Sequence, residues 1–260
     1  MSSKKILLPD AALSRRRVIG LAATSAIGVV VSQTIGGCAA DAATAPLTDT
    51  TNTDGGSGSV ASCVVTAALT EGPYFVDERL NRSDIRADSI TGAISSGVPL
   101  ALRFNVSRVA SGACTPLTGA YLDVWHCDAA GVYSDVSGAG AGRRFLRGYQ
   151  ITDANGVAAF TTIYPGWYSG RAVHVHFKLR LFAGSTASYE FTSQFFFDES
   201  LTTTVHALSP YSSRGTRNTL NSNDNIYNSL STAEKAALTL QTTSAGSGYS
   251  GVINLGVQLA

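Results

Sequence analysis

Charge is scarce in this chain: Lys, Arg, Asp and Glu make up 14% of its 260 residues, against about 25% in an ordinary soluble domain. The formal net charge is only +1, and no basic stripe or patch runs through the sequence, so nucleic acid is excluded as a partner class. Long apolar runs are missing too. The one extended apolar, small-residue stretch, Gly20 to Val31, falls short of the ~20 residues that a membrane-spanning helix needs. No internal repeat is visible, so the chain is not read as an array of stacked units. Cysteine is limited to four residues, Cys38, Cys63, Cys114 and Cys127. What remains is 44% hydrophobic and globular in balance.

The small positive charge is itself unevenly placed. Residues 1–38 hold five of the 19 basic residues and one of the 18 acidic ones, leaving 14 and 17, or a net charge of about −3, for the rest. Ser14-Arg15-Arg16-Arg17-Val18-Ile19 followed by the apolar stretch resembles a bacterial twin-arginine export signal. Ile35-Gly36-Gly37-Cys38 resembles a lipoprotein cleavage box, so Cys38 is the expected lipid anchor. Residues 39–61 are almost wholly Ala, Thr, Asp, Gly and Ser, a composition that cannot bury apolar surface and reads as a flexible linker. Residues 62–260 are then the folded domain of an exported protein, periplasmic or at the cell surface. An oxidising location permits a disulfide. Cys114 and Cys127 flank one predicted strand and are too far apart along an extended chain to bond. One bridge involving Cys63 is expected, with its partner left open.

Within 62–260 the apolar residues fall in short alternating runs between Gly-, Pro- and Asn-bearing turns. Strands are predicted over Leu100–Val106, Ala120–Cys127, Phe145–Thr152, Val157–Thr162, from His174 through Leu181, Tyr189–Phe197 and Val252–Leu259. Ala110–Pro116 reads as a turn and Ser137–Arg144 as a glycine-rich loop. After Asp198 the chain reads as loops, His206 among them, apart from one short helix from Thr232 to Leu240 capped by Ser231 or Thr232. Seven or more short strands with almost no helix predict an all-β sandwich with long active-site loops.

One stretch carries chemistry. His174 and His176 are separated by one residue inside a run in which Val173, Val175, Phe177, Leu179 and Leu181 alternate. In a strand such residues point to one face, roughly 7 Å apart, so two imidazoles project side by side and can grip a transition metal. Lys178 and Arg180 continue that face. Taken alone, the pattern fits better the solvated polar face of a half-buried strand, since strands place polar residues at alternate positions anyway.

The surrounding segments decide between these readings. Asp123-Val124-Trp125-His126-Cys127-Asp128-Ala129-Ala130-Gly131-Val132-Tyr133-Ser134 resembles the first tyrosinate segment of the intradiol ring-cleavage dioxygenases, the group of the catechol and protocatechuate dioxygenases. Pro165-Gly166-Trp167-Tyr168 resembles their second tyrosinate segment, and Arg171-Ala172-Val173-His174-Val175-His176-Phe177 resembles their Arg-x-x-His-x-His segment. Phe145-Leu146-Arg147-Gly148, Thr152-Asp153-Ala154-Asn155-Gly156 and Glu71-Gly72-Pro73-Tyr74 also look like family segments, so the resemblance spans about 70–227.

The resemblance implies a non-haem enzyme with one Fe(III) per chain that opens a catechol with O2 to a cis,cis-muconate-type product. Carried over residue by residue, Tyr133 and His174 look like equatorial ligands and Tyr168 and His176 like the axial pair. Tyr168 would also take up a catechol proton. Arg171 would stabilise negative charge on the ring, with Gln194 as a second polar group over the substrate. A hard ferric ion suits anionic phenolate oxygen beside imidazole. His126 matches a family position outside the metal shell, Trp125 is expected to pack in the core, and Tyr164 is the rival of Tyr168. The long N-terminal helical region of the catechol dioxygenases is lacking, which leaves oligomeric state and the particular catechol open. Two other readings compete: an exported β-sandwich module that binds a metal or a small aromatic without turnover, since a fold does not fix function, and a zinc hydrolase, against which two tyrosine donors weigh.

Overall fold

The computed structural model describes residues 64–259. Nine strands form two sheets, and three short helices follow the seventh strand. The strands are β1 (Pro99–Ala110), β2 (Ala113–Pro116), β3 (Tyr121–Trp125), β4 (Arg147–Ile151), β5 (Val157–Ile163), β6 (His174–Ala183), β7 (Thr186–Phe196), β8 (Gln241–Ala245) and β9 (Gly248–Val257); the helices are α1 (Glu199–His206), α2 (Asn225–Asn228) and α3 (Thr232–Leu238). In the first sheet β1 pairs parallel with β9, which pairs with β8. The other edge of β1 is lined first by β5 and then by β2. The second sheet is antiparallel, in the order β4-β3-β6-β7. This is the expected all-β sandwich.

Sequence alternation explains where the core lies. Leu100, Leu102, Phe104 and Val106 of β1 are buried, while the residues between them are more open. Val175, Phe177 and Leu179 face them from β6 in the same apolar cluster. Phe104 sits at its centre, with ring centroids 5.9, 5.8 and 6.1 Å from Phe160, Phe177 and Phe195. Burial of each such ring contributes about 1.5–3 kcal/mol.

The half-buried reading of β6 needs correction. His174, His176, Lys178 and Arg180 are all less than a tenth exposed, so both faces of the strand are covered. The cover is the segment from Thr70 to Leu80. Phe75 lies under Lys178 Nζ, 4.3 Å from the ring centroid, and tilts against Trp125. Glu71 pairs with Lys178, and Asp77 with Arg180, which also pairs with Asp123. Buried cations of this kind persist only when paired.

Other departures have simple causes. Residues 110–116 are not all turn. Only Ser111 and Gly112, with φ of 49° and 77°, make a two-residue hairpin turn, and the rest is β2, whose four residues are exposed and therefore carry no apolar period. Exposed β8 escaped for the same reason. The 198–206 segment is a helix, started by Asp198 accepting from Leu201 N–H. Thr232–Leu238 is the expected helix, with the Ser231–Glu234 capping box in place. Cys127 carries a free, buried thiol and Cys114 is disulfide-bonded, so these two are not joined to each other. The partner of Cys114, Cys63, the signal at 1–38 and the linker at 39–61 all lie outside the described residues. Among the described residues no helix is long and apolar enough to cross a membrane.

Asp88 ties the 88–93 loop to the glycine-rich loop. Its side chain is 1% exposed and accepts from Arg144 N–H, Ile90 N–H, the Thr91 hydroxyl and the Arg143 guanidinium. Burial by itself raises the carboxyl pKa, but these donors outweigh it and hold the group below the usual carboxylate range. A depressed carboxylate contributes stability that is fully present above the unfolded value near 3.9 and is lost progressively as pH falls from there through the depressed folded value. Asp88→Asn is expected to cost about 1–3 kcal/mol at pH 7. The gap between the melting temperatures of the two proteins should begin to narrow as pH falls below ~4; a gap that stays constant down to pH 3 would contradict this role.

Candidate metal centre

Three segments deliver four donors to one point. β6 places His174 and His176 on its outward face. Trp125 ends β3, and the turn after it is fixed by Asp128 Oδ1, which accepts from Ala130 and Val132 N–H. That turn delivers Tyr133. The Tyr164–Tyr168 segment delivers Tyr168. These two loops pack backbone to backbone: a β-carbon on Gly131 would lie 2.2 Å from Trp167 O, and one on Gly166 would lie 2.4 Å from Asp128 O. Gly131 also has a φ of +80°, a region that glycine enters without penalty. The glycines thus set how closely the two tyrosines approach.

The functional atoms converge tightly. His174 Nε2 lies 3.0 Å from His176 Nε2, 3.2 Å from Tyr168 Oη and 3.4 Å from Tyr133 Oη. His174 Nδ1–H donates to Ala172 O at 2.6 Å, which leaves Nε2 as a bare lone pair aimed at the cluster. His176 stacks on Trp125, with centroids 4.9 Å apart and planes 6° from parallel, and its Nδ1 is buried without a hydrogen-bond partner.

Burial governs the charge state. It pushes the His174 pKa down to about 3, with the nearby Arg171 charge adding to the effect, and pushes His176 well down too, assisted by His174 and Arg171. Burial raises both phenols, while the Arg171 charge pulls each back in part. Without a cation, then, two neutral imidazoles and two neutral phenols share a dry point, and a phenolate there requires a metal ion to draw off the proton. Bonds of about 2.0–2.1 Å to one ion separate its donors by roughly 3–3.4 Å, which is the spacing seen here. No group of three or more His, Cys, Asp or Glu converges among the described residues; this cluster reaches four donors by counting its tyrosines. These residues could hold one hard trivalent ion such as Fe(III).

Gln194 is the strand partner of His176 across β6 and β7, and it holds Arg171. Arg171 Nη2 donates to Gln194 Oε1 at 2.6 Å, and Gln194 Nε2 donates to Thr70 O at 2.7 Å. Tyr164 is not in the site; its buried hydroxyl bonds Thr202. His126 is also outside, held by Cys127 O and Thr162 Oγ1. Trp125 is buried as expected, and beyond packing it orients His176. His206 is not in a loop. It closes α1, reaches Pro165 O through Nε2 and stacks on Tyr211. Two further residues contribute: Tyr74, which ends the Glu71-Gly72-Pro73-Tyr74 segment but to which the sequence assigns no role, and Asp224, which no motif marks. Tyr74 stacks on Tyr133 at 4.3 Å and meets Tyr168 edge-on. Asp224, wholly buried, pairs with Arg171 Nε at 2.9 Å.

Comparison with known proteins places this arrangement. The Dioxygenase family model (Dioxygenase_C) matches residues 70–220, over half of the chain. An intradiol ring-cleavage dioxygenase from Tetranychus urticae is 28% identical with a TM-score of 0.64, the match covering 75% of this chain and 95% of that one. The dioxygenase domain of a dioxygenase carbohydrate-binding protein fusion from the cellulolytic bacterium Streptomyces sp. SirexAA-E is 26% identical with a TM-score of 0.53, covering 76% and 100%. A 3-chlorocatechol 1,2-dioxygenase from Rhodococcus opacus 1CP, at 21% identity and a TM-score of 0.51 over 74% of this chain and 71% of that one, shares the fold. No curated protein sequence matches the chain. The matched family, together with an Arg-x-x-His-x-His strand facing two loop tyrosines in the same sandwich, places the chain in the intradiol ring-cleavage dioxygenases.

Proposed function

We propose that this intradiol dioxygenase cleaves a catechol between its two hydroxyl-bearing carbons, consuming O2 and yielding a cis,cis-muconate-type product, with one Fe(III) per chain held by Tyr133, Tyr168, His174 and His176. The observation that carries this reading is the convergence of the other three donors within 3.0–3.4 Å of His174 Nε2. Bound Fe(III) would supply the electron withdrawal that opens a catecholate to attack by O2. The chain supplies the rest. Tyr168 is more open than Tyr133, which is 4% exposed, so its oxygen is the better placed to accept a proton from a catechol hydroxyl. Arg171 sets a fixed positive charge where the ring gains electron density, in a site with little water to screen it. Trp125 and the Ala172 carbonyl fix the two imidazole planes. The 70–80 segment covers the outward face of β6 and keeps solvent from it. The export signal at 1–38 and lipidation of Cys38 belong to the same proposal and make this an extracytoplasmic enzyme for soluble catechols, with a lipid on Cys38 as its only membrane contact.

The deciding measurement is a visible spectrum with metal analysis, before and after anaerobic addition of catechol. The expected result is about one iron per chain and a broad visible band, which shifts with catechol and changes in Tyr133→Phe. A protein that stays colourless after ferric loading overturns the reading.

A further inference from the structure

The Asp224 carboxylate lies far along the chain from the metal-binding segments, yet one of its two oxygens is bonded to the segment just before His174. Its side chain is 0% exposed. Oδ2 accepts from Arg171 Nε at 2.9 Å and from Ala172 N–H at 2.7 Å. Oδ1 accepts from Ile226 and Tyr227 N–H at 2.8 and 2.9 Å, and so starts α2. One carboxylate therefore joins α2 to the backbone and side chain just before His174. Gln194 grips the guanidinium from the other side through Nη2. Neither bond uses Nη1. A long side chain with four rotatable bonds is thus reduced to one orientation, and its charge acts on Tyr133, Tyr168, His174 and His176 alike.

We propose that Asp224 is a positioning residue for Arg171: it fixes the guanidinium between itself and Gln194 so that the remaining nitrogen, Nη1, is presented to the ring of the bound catechol. The inference rests on the catechol-cleaving function proposed above. Because the carboxylate acts through Arg171, its loss removes transition-state stabilisation and not substrate binding.

The test is steady-state oxygen uptake with catechol by the iron-loaded full chain, comparing wild type, Asp224→Asn, Arg171→Ala and the double variant. Asparagine keeps the carbonyl that starts α2 and loses the charge-paired oxygen. The expected result is a fall in kcat and kcat/KM together, on the order of 10–100-fold, as for other residues that orient a functional group, with the double variant no slower than Arg171→Ala alone. Ser231→Ala, which removes the cap of distant α3, should lower the melting temperature with kcat unchanged. An unchanged kcat in Asp224→Asn, or losses that add in the double variant, would overturn the proposal. A wild type that consumes no O2 with any catechol fails the functional reading instead. The positioning claim is then read from a crystal structure of Asp224→Asn, which refutes it if Arg171 keeps its wild-type place.

Discussion

His174→Ala is expected to reduce catechol-dependent oxygen uptake by at least ~10⁴-fold, the scale at which losing one member of an interdependent catalytic set removes almost all turnover. His174 is the hub of the cluster: its Nε2 is within 3.4 Å of the other three donors. Its ring is held by Ala172 O and shielded by burial, so no other group can take its place. The variant should also lose its iron and its visible band. The lost imidazole leaves a small void on the outward face of β6, which should lower the melting temperature without unfolding the protein, because the core face of that strand is untouched. Circular dichroism and metal analysis accompany the assay. A folded His174→Ala protein that keeps stoichiometric iron and more than a few per cent of activity would remove His174 from the candidate set.

Arg171→Ala is expected to behave differently. Iron and colour should remain, because Arg171 donates no metal ligand, while kcat falls by on the order of 10²–10³, the usual loss when one preorganised electrostatic group is removed. The charge should matter more for kcat than for KM, since the negative charge that it opposes develops on the ring during reaction. Arg171→Lys should recover little, because an ammonium cannot reach Asp224 Oδ2 and Gln194 Oε1 at once as the forked guanidinium does. Loss of iron in Arg171→Ala, or a change confined to KM, would place the residue in a structural or binding role.

The two expectations differ in how they could be read beforehand. The His-x-His spacing inside an alternating run fixed a shared face for His174 and His176 from the strand period alone, and the Arg-x-x-His-x-His, Pro-Gly-Trp-Tyr and Cys-Asp-Ala-Ala-Gly-Val-Tyr segments marked the family. That the outward face of β6 is buried could not be read in the same way. Alternation of His, Lys and Arg with apolar residues signals a wet face; here a separate segment folds over it, and its hold comes from Glu71, Phe75 and Asp77, whose sequence context says nothing of that contact. Exposed strands β2 and β8 were missed because their pairing is made by backbone groups, which leave no apolar pattern. His206 and Tyr164 were ambiguous as single residues and were resolved only by what they touch.

The sequence by itself determined the β-rich class, the two-imidazole strand, the two tyrosine loops and their order, because strand period and turn chemistry are local properties of a few consecutive residues. Tertiary structure alone decided that the four donors meet within hydrogen-bonding distance, that Tyr74 stacks over Tyr133, and that Asp224 grips Arg171. Tyr133 and His174, Tyr74 and Tyr133, and Arg171 and Asp224 are each tens of positions apart, and their contacts depend on how two sheets pack and how closely glycines let the loops approach. Local pattern carries no record of either.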